Sequence, residues 1–338
     1  IKVAEIRNEK INWQSYLDSS MISTEDFEII SVLESADESK KADLLSRNGL
    51  ECVSTFIHLL AHLSKDQTLQ YVLVMVYDLL QDDKLKVDTF KQYESLGKES
   101  PWEPFINLLN RPNGFIMNMS ARIIAKIVCE SPESMSERNL NFFLTWVKEQ
   151  LNTQNNEYIQ SVMRCLQMLL RIDMYRRAFV EMDGVTVLLN VLTAKCNFQV
   201  QYQTIYCLWA LTFNVQIATQ ISKYNVIPIL SDILTESGKE KVNRIILAVF
   251  RNLIEKVESP ETSRENCMAM VNSKVAKQLS FLEQKKYDDE DIVEDLTYLK
   301  EQLQTTMQDL SSFEVYSAEV KSGRLEWSPV HKSNFWRE

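Results

Sequence analysis

Three histidines are the residues of this chain best suited to metal binding or to acid–base chemistry. His58 and His62 stand four residues apart, which is the spacing of two metal ligands on one face of a helix. A third ligand and the glutamate of an HExxH motif are missing, and His331 has no evident nucleophile to pair with. We therefore expect two ordinary helical histidines, no metal site and no hydrolytic centre.

Glycine spacing excludes several nucleotide and acyl-transfer sites. The chain has 6 glycines, and the closest two are 17 residues apart. The GxGxxG loop, the Walker A loop and the GxSxG turn each need two or three glycines much closer together. The acidic run at residues 288–291 lacks the glycine of a calcium loop, so we interpret it as the charged start of a helix. We expect no cofactor and no catalytic residue.

Composition narrows the class of protein further. There are 37 basic and 47 acidic residues, giving a net charge of −10, which disfavours nucleic-acid binding. Only 6 glycines and 7 prolines occur, which argues against turn-rich β folds and disordered linkers. The 6 cysteines form no CxxC pair and indicate a reducing compartment. No apolar run approaches the roughly 20 residues that span a bilayer, so we expect no membrane insertion and no secretory signal.

Apolar segments of eight residues recur along the chain and predict a repeat protein. They begin at residues 73, 121, 163, 205 and 246, so the last four lie 41 or 42 residues apart. Armadillo and HEAT repeats have periods of about 40 to 47 residues. Each such unit can bury its apolar face only against its neighbours. The predicted fold is therefore all-α, an armadillo/HEAT-like right-handed α-solenoid superhelix.

The same pattern suggests three segments along the chain. Residues 1–24 are predicted to be an N-terminal segment, residues 25–310 an armadillo-like helical repeat domain, and residues 311–338 a linker and the start of a truncated C-terminal domain. An apolar stripe from Ile292 to Leu310 predicts a helix near the end of the repeat domain. A less regular stretch is expected from residue 311 to residue 329.

Surface residues are then the candidates for function. The third helices of an armadillo array line a groove that binds extended peptides or helices. Polar and aromatic residues that interrupt their apolar rows are the predicted partner-binding set: Arg122, Lys126, Arg164, Trp209, Asn214, Arg244, Arg251 and Asn252. The competing interpretation is that Trp209 belongs to the core and that the arginines pair with neighbouring acids.

Several longer sequence segments, distributed over almost the whole chain, resemble the sequences of a known protein family. They are INWQSY (11–16), ARIIAK (121–126), QYQ (201–203), YNVIPILSDIL (224–234), RIILA (244–248), KYDDED (286–291), DLSSF (309–313) and KSGRLEWSPVHKS (321–333). In these strings the chain resembles the H subunits of the eukaryotic vacuolar proton-pumping ATPases.

The resemblance implies a non-catalytic regulatory subunit of an ATP-driven proton pump. In that family an armadillo-like N-terminal domain docks on the peripheral stalk of subunits E and G, is needed for coupled proton transport, and lies near the B subunit of the catalytic sector. A C-terminal domain contacts membrane subunit a and helps to silence ATP hydrolysis by the detached catalytic sector. The resemblance places the protein in the cytoplasm, peripheral on endomembranes such as the vacuole, lysosome and endosome. Since most of the second domain is absent, we expect stalk binding without full inhibition.

Two alternatives stay open. An armadillo adaptor for linear peptide motifs, endocytic or of the nuclear-import type, predicts regularly spaced Trp and Asn along the third helices; only a partial ladder is present. An enzyme with an unrecognised carboxylate pair predicts measurable turnover by the isolated chain.

For the stalk-docking hypothesis, we expect charge reversal at Arg244 and Arg251 to weaken binding to the stalk and to leave the fold intact.

Overall fold

The computed structural model describes residues 2–81, 85–96, 100–130, 135–194, 196–285 and 287–322 of the 338 residues. Over these segments the regular secondary structure consists of 20 α-helices without a strand, which confirms the all-α prediction. The chain divides into two compact units, residues 1–182 and residues 183–338.

The first unit contains the helices α1 to α12. Their bounds are α1 Lys2–Arg7, α2 Trp13–Asp18, α3 Thr24–Ser35, α4 Glu38–Arg47, α5 Gly49–His62, α6 Asp66–Gln81, α7 Val87–Ser95, α8 Glu103–Leu108, α9 Gly114–Glu130, α10 Glu137–Asn152, α11 Ile159–Leu169 and α12 Asp173–Glu181. Short polar side chains begin several of them. Ser23 accepts a hydrogen bond from the Asp26 backbone amide, and the Asp26 carboxylate accepts one from the Ser23 amide, which forms a capping box at the start of α3.

The recurrent apolar segments of this unit lie on helices that pack in succession. Helix α6 carries the segment at residues 73–80, and α9 carries the segment at residues 121–128. The segment at residues 163–170 follows α11 to its C-terminal end. Helix α9 packs against both α6 and α11. Ile123, Ile124 and Val128 of α9 are completely buried. Sequence periodicity therefore marks the helices that form the continuous core of the unit.

The N-terminal segment also joins this packing. Helix α1 packs on α6 and buries Ile6, and Arg7 makes two hydrogen bonds of 2.7 Å to the Asp78 carboxylate. Trp13 is buried, and its indole Nε1 donates to Glu34 Oε1 at 2.6 Å. Residues 2–18 thus cover a face of α6 and α3 that would otherwise be open to solvent.

The second unit contains α13 to α20. Their bounds are α13 Gly184–Thr193, α14 Phe198–Leu211, α15 Val215–Ile221, α16 Val226–Glu236, α17 Glu240–Glu255, α18 Pro260–Asn272, α19 Val275–Glu283 and α20 Glu290–Ser322. The segments at residues 205–212 and 246–253 lie on α14 and α17, which pack together, and α20 packs on the other side of α17. The sharp turn before α13 uses Asp183 in a left-handed conformation, with a φ of 60°.

Helix α20 extends beyond its predicted end. Ile292, Leu296, Leu299 and Leu303 are buried as the stripe predicted, whereas Met307 of the same stripe is exposed, and the helix continues past Leu310 to Ser322. The expected irregular stretch is therefore helical as far as residue 322, because no glycine or proline interrupts residues 290–322. Residues 323–338 of the predicted linker lie outside the described residues, and the proposed three-segment division stays a prediction.

Candidate functional site

The predicted partner-binding residues lie on four helices and one helix start. In the first unit these are Arg122 and Lys126 on α9 and Arg164 on α11; in the second unit they are Trp209 on α14, Asn214 just before α15, and Arg244, Arg251 and Asn252 on α17.

The two cations of α9 have local partners. The Arg122 guanidinium donates to the Tyr77 hydroxyl and lies 4.2 Å from the centroid of the Tyr77 ring. The Lys126 ammonium forms an ion pair of 2.6 Å with Glu130, one helical turn further on. Both side chains are half-buried, so much of their binding capacity is used within the fold.

Arg164 differs from these two residues. Its side chain is exposed on α11, and over the described segments it makes no hydrogen bond or ion pair. An arginine in this state can form a bidentate contact with a carboxylate of a partner without first breaking an internal one.

The two predicted asparagines have structural roles. Asn214 is the N-cap of α15, where its side-chain oxygen accepts a hydrogen bond of 3.0 Å from the Ile217 amide. Asn252 is buried and donates to the Thr212 hydroxyl at 2.9 Å, which links α17 to the end of α14. Neither side chain is presented to a partner on an open surface.

Trp209 belongs to a stripe of aromatic residues along one face of α14. The stripe comprises Phe198, Tyr202, Tyr206, Trp209 and Phe213, spaced by four, four, three and four residues. Trp209 lies 5.2 Å from the ring of Tyr206 and 4.7 Å from that of Phe213, in an edge-to-face arrangement with the latter. All five rings are partly or largely exposed, so Trp209 is not a core residue.

Arg244 and Arg251 of α17 are paired with the acidic start of α20. Arg244 contacts Asp289 at 3.0 Å and Asp291 at 2.6 Å. Arg251 contacts Glu294 at 2.8 Å and Asp295 at 3.0 Å, and its guanidinium lies 5.0 Å from the centroid of the Tyr298 ring. Charge reversal at both positions would set two carboxylates against this acidic segment. We therefore expect such a variant to weaken the packing of α20 on α17 as well as any binding of a partner.

Burial and pairing act in opposite directions on the ionisation of this cluster. Hydrogen bonds to Asp295, Glu294 and Glu255 raise the pKa of Arg251. Burial raises the pKa of Asp295 above its usual value, and this effect exceeds the lowering caused by the hydrogen bond from Arg251. Asp295 therefore depends on Arg251 to remain charged inside the interface between the two helices.

A groove of about 400 Å³ in the second unit is lined by aromatic residues of α14, by acids of α20, and by five residues of α17, namely Lys241, Arg244, Ile245, Ala248 and Arg251. One wall is formed by Tyr202, Tyr206 and Trp209, the floor by residues of α17 that include Ile245 and Ala248, and the other wall by the acids of α20. Sequence reasoning selected Trp209 and the arginines but missed Tyr202, Tyr206 and the acidic wall. The four-residue spacing of the aromatics was the signal for the tyrosines.

His58 and His62, the two histidines in the described part of the chain, have partners on or near their own helix. His58 Nδ1 lies 2.6 Å from the carboxylate of Asp26, and His62 Nδ1 lies 2.9 Å from the backbone oxygen of His58. Among the residues described here, no group of three or more His, Cys, Asp and Glu side chains could hold a metal ion. His331 lies outside the described residues.

The cysteines are unsuited to nucleophilic chemistry at neutral pH. All 6 are free thiols. Burial raises the pKa of Cys52, Cys129 and Cys165 to about 12, and it raises the pKa of Cys207 further. The thiolate form is therefore rare, and packing is the role that the structure gives these residues.

No helix in the described ranges has the length and apolar character needed to cross a bilayer.

Several solved structures that are similar to this chain are engineered or designed proteins. One engineered protein covers 75% of the chain with a TM-score of 0.57 at 16% identity, and the alignment includes 97% of that protein. A designed armadillo repeat protein covers 74% with a TM-score of 0.57 at 14% identity, and 99% of its own length is included. These likenesses show the fold, which is an all-α armadillo-type solenoid.

Comparison of the sequence with known families gives a more specific result. Residues 2–303 match the family model for the N-terminal domain of the V-ATPase H subunit, and residues 309–338 match that for its C-terminal domain. The H subunit of the V-type proton ATPase of Drosophila melanogaster is 55% identical over 338 residues, which are 100% of this chain and 71% of the relative. A probable V-type proton ATPase H subunit of Caenorhabditis elegans is 43% identical, covering 100% of the chain and 73% of the relative. The chain belongs to the family of V-ATPase H subunits.

Proposed function

We propose that this chain is the stalk-binding part of a non-catalytic regulatory subunit of the vacuolar proton pump. It docks on the peripheral stalk subunits E and G, contacts the B subunit of the catalytic sector, and is needed to couple ATP hydrolysis to proton transport. The observation that carries this proposal is the 55% identity to a V-ATPase H subunit over the whole chain.

Silencing of the detached catalytic sector belongs to the same proposal. It requires the C-terminal domain, whose family model residues 309–338 match, together with its contact to membrane subunit a. We place the protein in the cytoplasm, peripheral on endomembranes such as the vacuole, lysosome and endosome.

The packing of the helices supports a load-bearing role. Stator elements must resist torque, and a core that continues from one repeat to the next deforms little because protein interiors are close-packed. In each unit the helices that carry the recurrent apolar segments are joined by polar contacts as well as apolar ones. Arg122 of α9 bonds Tyr77 of α6, and Asn252 of α17 bonds Thr212 at the end of α14.

Arg164 and Trp209 are the best candidates of the predicted set for direct contact with the stalk. Arg164 is exposed without an internal partner in the described structure, and Trp209 is partly exposed on the aromatic stripe. Arg122, Lys126, Arg244 and Arg251 have partners within the fold, and Asn214 and Asn252 are buried.

A binding measurement tests stalk docking directly. The chain is titrated against a purified heterodimer of subunits E and G in a calorimeter. We expect saturable binding, and we expect Arg164→Glu to weaken it by about ten-fold, as for loss of one bidentate ion pair with reversal of charge. Arg177→Glu is the matched control, because Arg177 is an exposed arginine on α12 that pairs with Asp173 of its own helix.

Function is tested in a pump that lacks its own H subunit. The full-length H subunit with the native sequence should restore proton transport coupled to ATP hydrolysis, whereas Arg164→Glu in that full-length protein should restore less. No binding to the heterodimer, together with no recovery by the full-length protein, would reject the proposal.

A second candidate function is the binding of linear peptides. The groove beside α14 favours it, because exposed aromatic residues of α14 and carboxylates of α20 lie on either side of a floor formed by α17, where Arg244 and Arg251 also line the groove. A designed armadillo protein with a TM-score of 0.57 to this chain is described as being in complex with the peptide (KR)4. The endocytic and nuclear-import-like adaptors belong to this candidate.

A further inference from the structure

The groove of the second unit has two chemically different walls. We call Tyr202, Tyr206 and Trp209 the aromatic rail, and Asp291, Glu294 and Asp295 the carboxylate rail. The rails lie on α14 and α20, on either side of α17. Ile245 and the small residue Ala248 form part of the floor between them, which leaves room for a chain to lie along the groove.

The aromatic stripe of α14 already binds cations at its two ends. Lys256 Nζ lies 3.8 Å from the centroid of the Phe213 ring, and Lys239 Nζ lies 5.9 Å from that of Phe198. Within the described residues no cation lies over the three rings of the aromatic rail between them. These rings are partly exposed and present π-electron faces that attract ammonium and guanidinium groups.

The wall of the groove that α20 forms is acidic, although Lys241, Arg244 and Arg251 of α17 also line the groove. Residues 197–214, which include all of α14, contain no charged side chain, whereas residues 288–295 contain six carboxylates. Arg244 and Arg251 are the two arginines that pair with this acidic segment. Asp291 and Glu294 keep 70% and 69% of their side chains exposed, so their outer oxygens remain open to a further cation.

The spacing of the rail also fits an extended chain. Tyr202 and Tyr206 are four residues apart, which is about 6 Å along the helix axis. Every second residue of an extended peptide is separated by about 6.7 Å and points to the same side. Alternate side chains of such a peptide can therefore reach successive rings, and the intervening ones can turn toward the other wall.

We infer that this groove binds an extended basic peptide. Lysine or arginine side chains of the peptide lie over Tyr202, Tyr206 and Trp209, and other basic side chains pair with Asp291 and Glu294. This inference rests on peptide binding, the second proposed function, and is independent of docking on the stalk.

The test uses a fluorescently labelled (Lys-Arg)4 peptide and the full chain. Anisotropy should report saturable binding that weakens as salt is raised, since charge pairing carries part of the affinity. Neutral (Gly-Ser)4 and acidic (Glu-Asp)4 peptides should bind far more weakly. Circular dichroism of each variant checks that the helices remain folded.

The aromatic contribution is isolated by Tyr202→Leu with Tyr206→Leu. Leucine keeps an apolar side chain but has no π face, so we expect about a three-fold loss of affinity for each ring and about ten-fold for the pair. Tyr202→Phe with Tyr206→Phe keeps the rings and should bind like the unmodified chain. Equal losses in the leucine and phenylalanine variants would overturn the assignment to the rings.

The charge contribution is isolated by Asp291→Asn with Glu294→Gln. We expect at least a five-fold loss, because two outer carboxylates disappear while Arg244 keeps Asp289 and Arg251 keeps Asp295. Asp232→Asn with Glu236→Gln removes the same charge from exposed positions on α16 and should have little effect. If this control loses as much affinity, only the overall negative charge binds the peptide and the inference fails.

Lys241 provides a test in which removal of a charged side chain should strengthen peptide binding. It lines the groove, is exposed, and makes no ion pair over the described segments. Lys241→Gln should strengthen binding of (Lys-Arg)4 because a like charge is removed. Preferential binding of the acidic or neutral peptide would overturn the inference but leave peptide binding in place. If none of the three peptides binds, both the inference and the second proposed function, peptide binding, are rejected. Neither of these two results bears on binding to the heterodimer of subunits E and G.

Discussion

Arg251 shows how one side chain can fix the position of a helix. It lies on α17 and contacts Glu255 of its own helix and Glu294 and Asp295 of α20, each at 3.0 Å or less. Asp295 is 8% exposed, so it would remain as a buried unpaired carboxylate without the arginine. Arg251 is therefore a positioning residue for one wall of the groove.

Replacing this arginine should destabilise the second unit in a pH-dependent manner. We expect Arg251→Met to lower the free energy of unfolding by about 2 kcal/mol at pH 7, which chemical denaturation would measure. The pKa of Asp295 is already raised in the folded state, and loss of Arg251 raises it further. A raised carboxyl pKa means that stability is lost as the pH rises through the folded-state value. The difference between the variant and the native chain should therefore widen from pH 4 to pH 7.

The matched control is Arg264→Met on α18. Arg264 is exposed and contacts Asp309 at 3.8 Å, so its loss should change stability little at either pH. Equal losses in the two variants, or a difference for Arg251→Met that does not depend on pH, would contradict the role given to Asp295.

At the scale of elements, α1 in the first unit and α20 in the second unit each cover a helix that carries a recurrent apolar segment. In the first unit α1 covers α6 through Ile6 and the Arg7–Asp78 pair. In the second unit α20 covers α17 through its buried stripe and the two arginines. Both add an apolar contact and a specific charge contact, which sets the register of the covering helix.

The ion pair that holds α1 is accessible to a charge-swap experiment. Arg7→Glu places two carboxylates together, so α1 should open more often and its amide hydrogens should exchange about five-fold faster. Hydrogen exchange with mass spectrometry over residues 2–8 measures this change. Combining Arg7→Glu with Asp78→Arg restores opposite charges and should restore protection.

This prediction has a control within the same unit. Arg47→Glu disturbs an exposed pair with Asp43 on α4 and should leave exchange in α1 unchanged. If α1 exchanges at the native rate in the Arg7→Glu chain, the buried Ile6 alone holds the helix and the pair contributes nothing.

At the scale of the whole molecule, polar contacts follow the same period as the apolar segments. Arg122 and Tyr77 are 45 residues apart, Asn252 and Thr212 are 40 apart, and Arg251 and Glu294 are 43 apart. Asn266 and Ser222 are 44 apart. Each contact therefore joins neighbouring repeats, and stability is shared between neighbours along the chain.

Damage to one repeat should spread to its neighbours first. Leu247 is fully buried in α17, and Leu247→Ala should cost about 2–5 kcal/mol. Hydrogen exchange should accelerate in α14, α17 and α20, whereas α5 of the first unit should keep its protection. The reciprocal variant, Leu73→Ala in α6, should instead accelerate exchange in α6 and α9. A uniform acceleration in both variants would contradict the nearest-neighbour description.

Much of the architecture was predictable from the sequence because it depends on local composition. The apolar period of about 42 residues and the scarcity of glycine and proline predicted stacked helices correctly, and the stripe from Ile292 to Leu310 predicted the buried face of α20 as far as Leu303. The apolar pattern weakens after residue 310 and predicts an earlier end for α20, but the helix continues to Ser322 because no glycine or proline occurs before residue 323.

The family, the helical class and the repeat period follow from the amino-acid sequence, since these are properties of neighbouring residues and of continuous strings. Which polar side chains are available to a partner depends instead on how the helices pack. Asn252 and Arg251 are adjacent on α17, yet one bonds Thr212 behind the helix and the other bonds Asp295 in front of it. These partners lie about 40 residues away in opposite directions along the chain, so side-chain roles are set by the stacking of helices and not by the pattern within any one of them.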